Sequence, residues 1–383
     1  MKKIGILTIN DYNNYGNRLQ NYATQEVLKS LDLEVETIIN STHFNKEVEK
    51  GTNLRGSLRS FKRNTPLGLV KKIGSKLIKV NYYNKRKLKR YNQRRIEIFK
   101  KFSSDYIIET NFTINEHEEI PKKMLEEYDY FITGSDQVWN PNYRKGSAID
   151  FLTFAPKHKR IAYAPSFGVS ELPEEYSELY KNFLASMYKL SVREEAGAEI
   201  IKKLTNRDAE VLIDPTLMLS KEKWISISKN SLSGVENGYI LTYFLGNISK
   251  ERKSYIKKIA MKNNLKIINL LDIKNIAAYI AGPDEFIGYI NSASLICTDS
   301  FHGAVFSILL ERPFIVFERN SSSLNSMNSR IDTLLSKFKM EKRLYENVKK
   351  NNNIFDIDFS HTYSLLEKER KKALDYLKNA FDL

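Results

Sequence analysis

Cysteine and histidine are scarce in this 383-residue chain, which has one of the former and five of the latter. The lone Cys297 sits inside the apolar run LIC and cannot close an internal disulfide. It reads as a buried thiol in a reducing compartment. No stretch approaches the roughly 20 apolar residues of a membrane-spanning helix. The opening MKKIGILTIN carries too short an apolar run for a signal peptide before it turns polar. A cytoplasmic protein, soluble or peripheral on the inner face of the cell membrane, is the expectation. His-Glu-x-x-His, paired cysteines, a P-loop and a Gly-x-Ser-x-Gly elbow are all missing, so neither a metal nor a cofactor is expected.

Positive charge, by contrast, is plentiful and local. The chain carries +15, yet residues 55–101 hold seventeen Lys and Arg against the single acid Glu97. The remainder is therefore close to neutral. Within that stretch Val70, Ile73, Leu77 and Val80 recur at helical spacing, with Lys71, Lys72, Lys76 and Lys79 largely on the other side. Such a helix suits an anionic membrane surface, where each cation contributes on the order of 1 kcal/mol. The plainer reading is a solvated helical insertion whose apolar side covers the first domain. The interleaved tyrosines and cations of 81–95 also suit nucleic acid, the weaker of the anionic partners.

Outside this insertion, short apolar strands alternate with helical patterns. IGILTI (4–9), VETII (35–39), YDYFITGSDQVW (128–139), RIAYAPSFG (160–168), KLSVREE (189–195) and EVLIDPTLML (210–219) read as strands with polar ends. YILTYFLG (239–246), LKIINLL (265–271), SLICTDS (294–300) and PFIVFE (313–318) form a second series. Helices are expected near 18–31, 174–188, 249–263, 284–291, 303–310 and 361–380. The pattern predicts an α/β fold with two Rossmann-like domains whose parallel sheets face a cleft. The expected division is an N-terminal domain over 1–220, on the acceptor side and carrying the 55–101 insertion, and a C-terminal donor-side domain over 221–350. A helical tail over 351–383 packs back. The polar stretch 228–238, with 220–227, marks the boundary. Ligands of open parallel sheets bind beyond the carboxyl ends of strands. The loops to watch are therefore NYGN, TGSDQ, APSFG, VREE, FLGN and TDSFHG.

Several of these segments, IGILTINDYNNYGNRLQNYA (4–23), YDYFITGSDQVWNP (128–141), RIAYAPSFG, LSVREE, LIDPTLML, GPDEFIGYINSASLICTDSFHGAVFSILLERPFIVF (282–317) and SRIDTLLSKFKMEKRL (329–344), carry a resemblance along nearly the whole chain. The chain resembles the polysaccharide pyruvyl transferase family. That resemblance implies a two-domain scaffold of the glycosyltransferase-B type. It also implies transfer of the enolpyruvyl unit of phosphoenolpyruvate onto a lipid-linked or nucleotide-linked sugar of a cell-surface polysaccharide, closing a pyruvate ketal. One position departs: some branches of the family carry a phosphate-holding arginine two residues before the histidine, where this chain has Ser300.

Each candidate site residue has a functional and a plainer reading. His302 follows a strand end at a helix start, where backbone N–H groups favour an anion. It serves as general acid or phosphate ligand, or merely bonds a neighbouring strand. Ser300 suits the N-cap beside that anion, and Gly303 lets a ligand approach the backbone. Arg193 ends a strand and binds an anionic donor, or forms an interdomain salt bridge with Glu194 or another acid, while Glu194 and Glu195 start the next helix, where acids complement the dipole. Asp136 is a general base, or a helix cap. Gly134 and Ser135 offer N–H groups beside it. Gln137 and Trp139 line a sugar site, or lie in the core. Gly16, Asn17 and Arg18 open a helix facing the cleft, with Arg18 on an acceptor phosphate or on the surface, and Gln20 a partner for sugar hydroxyls. Ser166 and Gly168 come from APSFG, and Glu285 caps a helix or holds a ribose. The competing function is a glycosyltransferase using a nucleotide sugar on the same scaffold, which Ser300 favours. A third class is a membrane or nucleic-acid tether acting through 55–101.

Overall fold

The computed structural model describes residues 1–42, 67–229, 238–319, 329–350 and 354–383, and of 67–85 only the helical backbone. The expected boundary at 228–238 therefore falls mostly outside the described residues. So do the side chains of the amphipathic pattern at 67–80.

Strands β1 (Lys3–Leu7), β2 (Glu34–Asn40), β3 (Glu109–Ile114), β4 (Tyr130–Thr133) and β5 (Arg160–Ala162) form a parallel sheet in the order β3-β2-β1-β4-β5. β6 (Ser191–Val192) and β7 (Glu210–Val211) continue it, through a parallel bridge between Ile161 and Lys189. The second sheet joins β8 (Tyr239–Tyr243), β9 (Lys266–Asn269), β10 (Leu295–Thr298) and β11 (Phe314–Val316) in the order β11-β10-β8-β9, again parallel. Strands buried on both faces read as near-continuous apolar runs, which is why these were legible. In β1, Ile4 and Ile6 enter one core and Leu7 the other, as the two-residue period requires. β3 was not anticipated: ETNFTI is half exposed at the sheet edge and lacks an apolar run.

Both sheets reverse strand order at one point, β1/β4 in the first lobe and β8/β10 in the second. The crevices outside the strand ends at these points are where such folds hold ligands. The Tyr15–Lys29 helix follows β1. Asn14 caps it by accepting from the Asn17 N–H at 3.2 Å, and Lys29 complements the dipole in its last turn. Its buried residues belong to a core that continues into the second lobe. The Tyr15 ring stacks on Phe286 at 4.5 Å and meets Tyr243 edge-on at 5.5 Å, while Trp224 bridges Tyr22 and Phe306. The lobes are thus joined by packed aromatic surface. The Ser360–Ala380 helix returns to the first sheet, where Tyr376 Oη donates to Ala162 O and Arg370 donates to the carbonyls of Leu217 and Leu219.

The Leu67–Tyr106 helix runs 40 residues, and its C-terminal part straps the lobes together. Arg95 is buried. It donates to Asn13 Oδ1, to Tyr15 Oη and to Tyr279 O, and lies over the rings of Tyr15 and Phe99. Tyr279 Oη donates back to Asn92. Arg95→Ala strands several buried acceptors, so it is expected to destabilise by about 2–4 kcal/mol. It should also speed hydrogen exchange in the Tyr15–Lys29 and Phe301–Leu309 helices. Unchanged urea midpoint and exchange would show that the strap does not couple the lobes. Among the described residues no helix is long and apolar enough to cross a membrane.

Candidate functional site

β10 ends at Thr298, and the next helix, Phe301–Leu309, begins where the two lobes meet. Ser300 caps it, its Oγ accepting the Gly303 N–H at 3.3 Å. Gly303 is needed for a reason other than a ligand. A Cβ there would lie 2.5 Å from Thr298 Oγ1, so the glycine lets the helix sit on its own strand. Asp299 does not cap either. Its carboxylate accepts from the N–H groups of Leu245 and Gly246 and pairs with Arg319, tying together the loops after β8, β10 and β11.

The first two residues of this helix reach into the other lobe. Phe301 lies against Arg193, whose guanidinium carbon is 4.3 Å from the ring centroid. The His302 imidazole fits against Gly16, at the start of the Tyr15–Lys29 helix, where a Cβ would fall 1.9 Å from Nδ1. His302 Nε2 is 3.5 Å from Asp214 Oδ2 and has no hydrogen-bond partner. The residues expected to face each other across a cleft are in contact. A small cavity beside them is lined by Arg193, Asp214, Phe301 and Arg330, with space of about 10 Å³, near the minimum for one water.

Asp214, which no loop motif had singled out, is the hub. It follows β7 and caps the short helix Pro215–Met218. Its carboxylate accepts from Arg193 Nη1 (2.7 Å), Ser135 Oγ (2.8 Å) and Thr216 N and Oγ1 (3.0 and 2.6 Å). Burial alone would push this carboxyl up. The His302 imidazole, the Arg193 guanidinium and the Thr216 hydroxyl outweigh burial and hold it well below the usual carboxylate range. Arg193 therefore has a salt-bridge partner, but within its own lobe and not across the domains, and it uses only one nitrogen. Its Nε and Nη2 are buried without a partner. Glu194, read as a helix-start acid, is fully buried. One of its oxygens accepts from Ser166 Oγ and from the N–H groups of Phe167 and Gly168, which accounts for Ser166.

Asp136 occupies the first lobe's crevice with φ of +81°, rare for a residue with a side chain. Oδ1 accepts from the Gln137 N–H, and Oδ2 accepts from Asn17 Nδ2 at 3.0 Å. It caps no helix; Asn140 caps the next one. Asn17 Oδ1 in turn accepts from Arg18, which is buried, pairs with Glu109 and donates to Ile9 O. Arg18 is thus neither on the surface nor open to a phosphate. Gly134 N–H bonds Leu7 O and extends the sheet instead of facing a ligand. Gln20 is buried on Thr8, Gln137 accepts from Asn140, and Glu285 accepts the Gly282 N–H as a cap. Trp139 is core, stacked on Phe151. Among the described residues, no three His, Cys, Asp or Glu are grouped to hold a metal ion.

The family model described as polysaccharide pyruvyl transferase matches residues 14–321. The chain belongs to the polysaccharide pyruvyl transferase family. No curated protein matches this family member. Among solved structures it is similar to a putative UDP-N-acetylglucosamine 2-epimerase from Listeria monocytogenes, with 11% identity, TM-score 0.52, and 100% and 97% of the two chains covered. It is also similar to the UDP-GlcNAc 2-epimerase from Neisseria meningitidis bound to UDP-GlcNAc (9%, TM-score 0.47, 99% and 100%) and to S. aureus MnaA with UDP (12%, 0.48, 100% and 98%). The fold is that of the glycosyltransferase-B type, two Rossmann-like lobes with helices packed around each sheet.

The expected reaction does not stand. Ketal formation from phosphoenolpyruvate is corrected by the Listeria match, whose scaffold aligns over nearly the whole length and is named for a nucleotide sugar. The expected enzyme class, a phosphoenolpyruvate-dependent pyruvyl transferase, falls with it. The site offers a local reason. Where some branches of this pyruvyl transferase family have a phosphate-holding arginine, Ser300 stands with its hydroxyl engaged in the cap. Sequence reasoning also missed Asp214 and Arg330. The signal for Asp214 was an acid directly before a proline at a strand end, a pattern that marks structural caps as often as sites.

Proposed function

We propose that this family member is a glycosyltransferase that binds a nucleotide sugar between its lobes. One observation carries the reading. Unpartnered buried donors, Arg193 Nε and Nη2, lie with His302 beside the positive end of the Phe301–Leu309 helix, which follows the strand-order reversal of the second sheet. Forked guanidinium donors and a helix start suit a diphosphate. A buried carboxylate in the first lobe's crevice, Asp136, suits a hydroxyl acceptor. The name of the Listeria neighbour, a UDP-sugar enzyme, agrees with this choice of ligand.

In the reaction, the acceptor oxygen attacks the anomeric carbon as the bond from that carbon to the diphosphate breaks. The bonding electrons leave with the nucleoside diphosphate, and the acceptor proton passes to Asp136. Arg193 and His302 stabilise the charge on the leaving group, a contribution that grows in a site closed to water. The lobes must part to admit the ligand, because the present contact leaves space for little more than one water.

The test is differential scanning fluorimetry with UDP, UDP-GlcNAc and other nucleotide sugars, followed by assay of nucleoside diphosphate release with sugar acceptors. Stabilisation of several degrees by UDP or a UDP-sugar, together with acceptor-dependent release, is the expected result. No stabilisation by any nucleotide or nucleotide sugar would sink the reading.

A further inference from the structure

Arg330 falls in the resembling segment SRIDTLLSKFKMEKRL (329–344) but has no assigned role there, and it lies beyond residues 14–321, the span of the family match. It is the second residue of the Ser329–Lys337 helix and is 6% exposed. Among the described residues its Nε is buried without a partner. A buried guanidinium with an unpartnered nitrogen is unusual, because desolvation penalises the charge unless something compensates it. The other cation nearby does not explain it. Arg319 is engaged with Asp299, and Arg330 lines the same small cavity as Arg193, Asp214 and Phe301.

The electrostatics agree with the geometry. Burial first, then the like charge of Arg193, lower the Arg330 pKa to about 10, against the pull of Glu194 and Asp136. Neither acid is its hydrogen-bonded partner. One Glu194 oxygen is held by Ser166, Phe167 and Gly168, and Asp136 is held by Asn17 and Gln137. The wall of one cavity thus presents two buried arginines with three unpartnered nitrogens, Arg193 Nε, Arg193 Nη2 and Arg330 Nε. A single oxyanion with several acceptor oxygens satisfies all three, and phosphate has the geometry that two forked donors match.

We infer that Arg330 is a phosphate-binding residue of the interlobe site, clamping with Arg193 the diphosphate of the ligand from the opposite side of the Phe301–Leu309 helix start. It supplies from the Ser329–Lys337 helix the cation that is absent at Ser300. The inference rests on the reading above in taking the anion to be the diphosphate of a nucleotide sugar.

The experiment is calorimetric titration of wild type, Arg330→Gln and Arg330→Lys with inorganic diphosphate and with UDP, plus melting in phosphate-free buffer. Arg330→Gln should weaken both ligands by 10-fold or more, with Arg330→Lys recovering only part of the loss because an ammonium cannot fork. Without ligand, Arg330→Gln should melt at or above the wild-type temperature, since it removes a desolvated charge with an unpartnered nitrogen. A structural arginine would give the opposite. Equal affinity of wild type and Arg330→Gln for UDP and for diphosphate would overturn the inference and leave the nucleotide-sugar reading intact. Diphosphate binding that depends on Arg330, without UDP binding, would uphold the residue's role and defeat the nucleotide. If wild type binds neither probe, both fall. Loss of fold in Arg330→Gln in phosphate-free buffer would also overturn it, because it would reveal a structural partner.

Discussion

Asp214→Ala should destabilise the protein by about 3–5 kcal/mol, the range for removing one partner of a buried ion pair. The carboxylate is fully buried and is the only ion-pair partner of Arg193 among the described residues. Its loss strands the Arg193 guanidinium, the Ser135 hydroxyl and the Thr216 donors, and removes the cap of the Pro215–Met218 helix. Urea denaturation is the measurement. Asp214→Asn, which retains one acceptor oxygen, should fall between the two. Pairing Asp214→Leu with Arg193→Met should recover much of the loss, since an apolar pair of similar volume leaves no charge behind. A change below about 1 kcal/mol for Asp214→Ala would show that Arg193 finds another partner.

The same carboxylate sets a pH signature. Its folded pKa is depressed, so its stabilisation is fully present above the unfolded value near 4 and is lost as pH falls through the window below that. Wild type should therefore lose stability steeply below about pH 4, and Asp214→Asn should show a shallower acid limb.

Much of this architecture was legible because parallel strands announce themselves. The runs around Ile4, Phe131, Ile240, Ile296 and Ile315 are apolar on both faces, and their polar ends placed His302, Ser300, Arg193 and Asp136 at strand termini. What each side chain does there was not legible, since that depends on residues distant in sequence. Arg18 and Arg193 both open from strand-end loops. Arg18 is neutralised by Glu109, 91 residues on, while Arg193 keeps two nitrogens unpartnered. Glu194 resembled a dipole-complementing acid because nothing in VREE reveals that Phe167 and Gly168 will point their N–H groups at it. Nothing in SRIDTLLSK marked Arg330, since local sequence does not reveal which lobe will cover a helix. Gly16 and Gly303 both looked like room left for a ligand. Tertiary packing fills the first with His302 and the second with Thr298.

Gly16→Ala should cost activity far more than its size suggests. Locally the change is favourable, because alanine is about 1 kcal/mol better than glycine in a helix. The added methyl, however, would fall 1.9 Å from Nδ1 and 2.4 Å from Cγ of His302, too close to the root of the ring for a small adjustment. Either the imidazole swings away or the lobes part. Both outcomes separate His302 from Asp214 and from the Arg193 that Phe301 covers. A misplacement on the order of 1 Å lowers turnover by about 100-fold, so under the proposed function nucleoside diphosphate release should fall by that factor. Overpacking should cost about 1–3 kcal/mol, enough to outweigh the gain in helix propensity. The decisive control adds Gly16→Ala to a His302→Gly background. With the ring gone the methyl fits, so the second change should be neutral or stabilising there, giving a coupling above about 1 kcal/mol in the double-mutant cycle. Additive effects would mean that the strain lies elsewhere. Wild-type turnover in Gly16→Ala would mean that the catalytic form does not close through this contact.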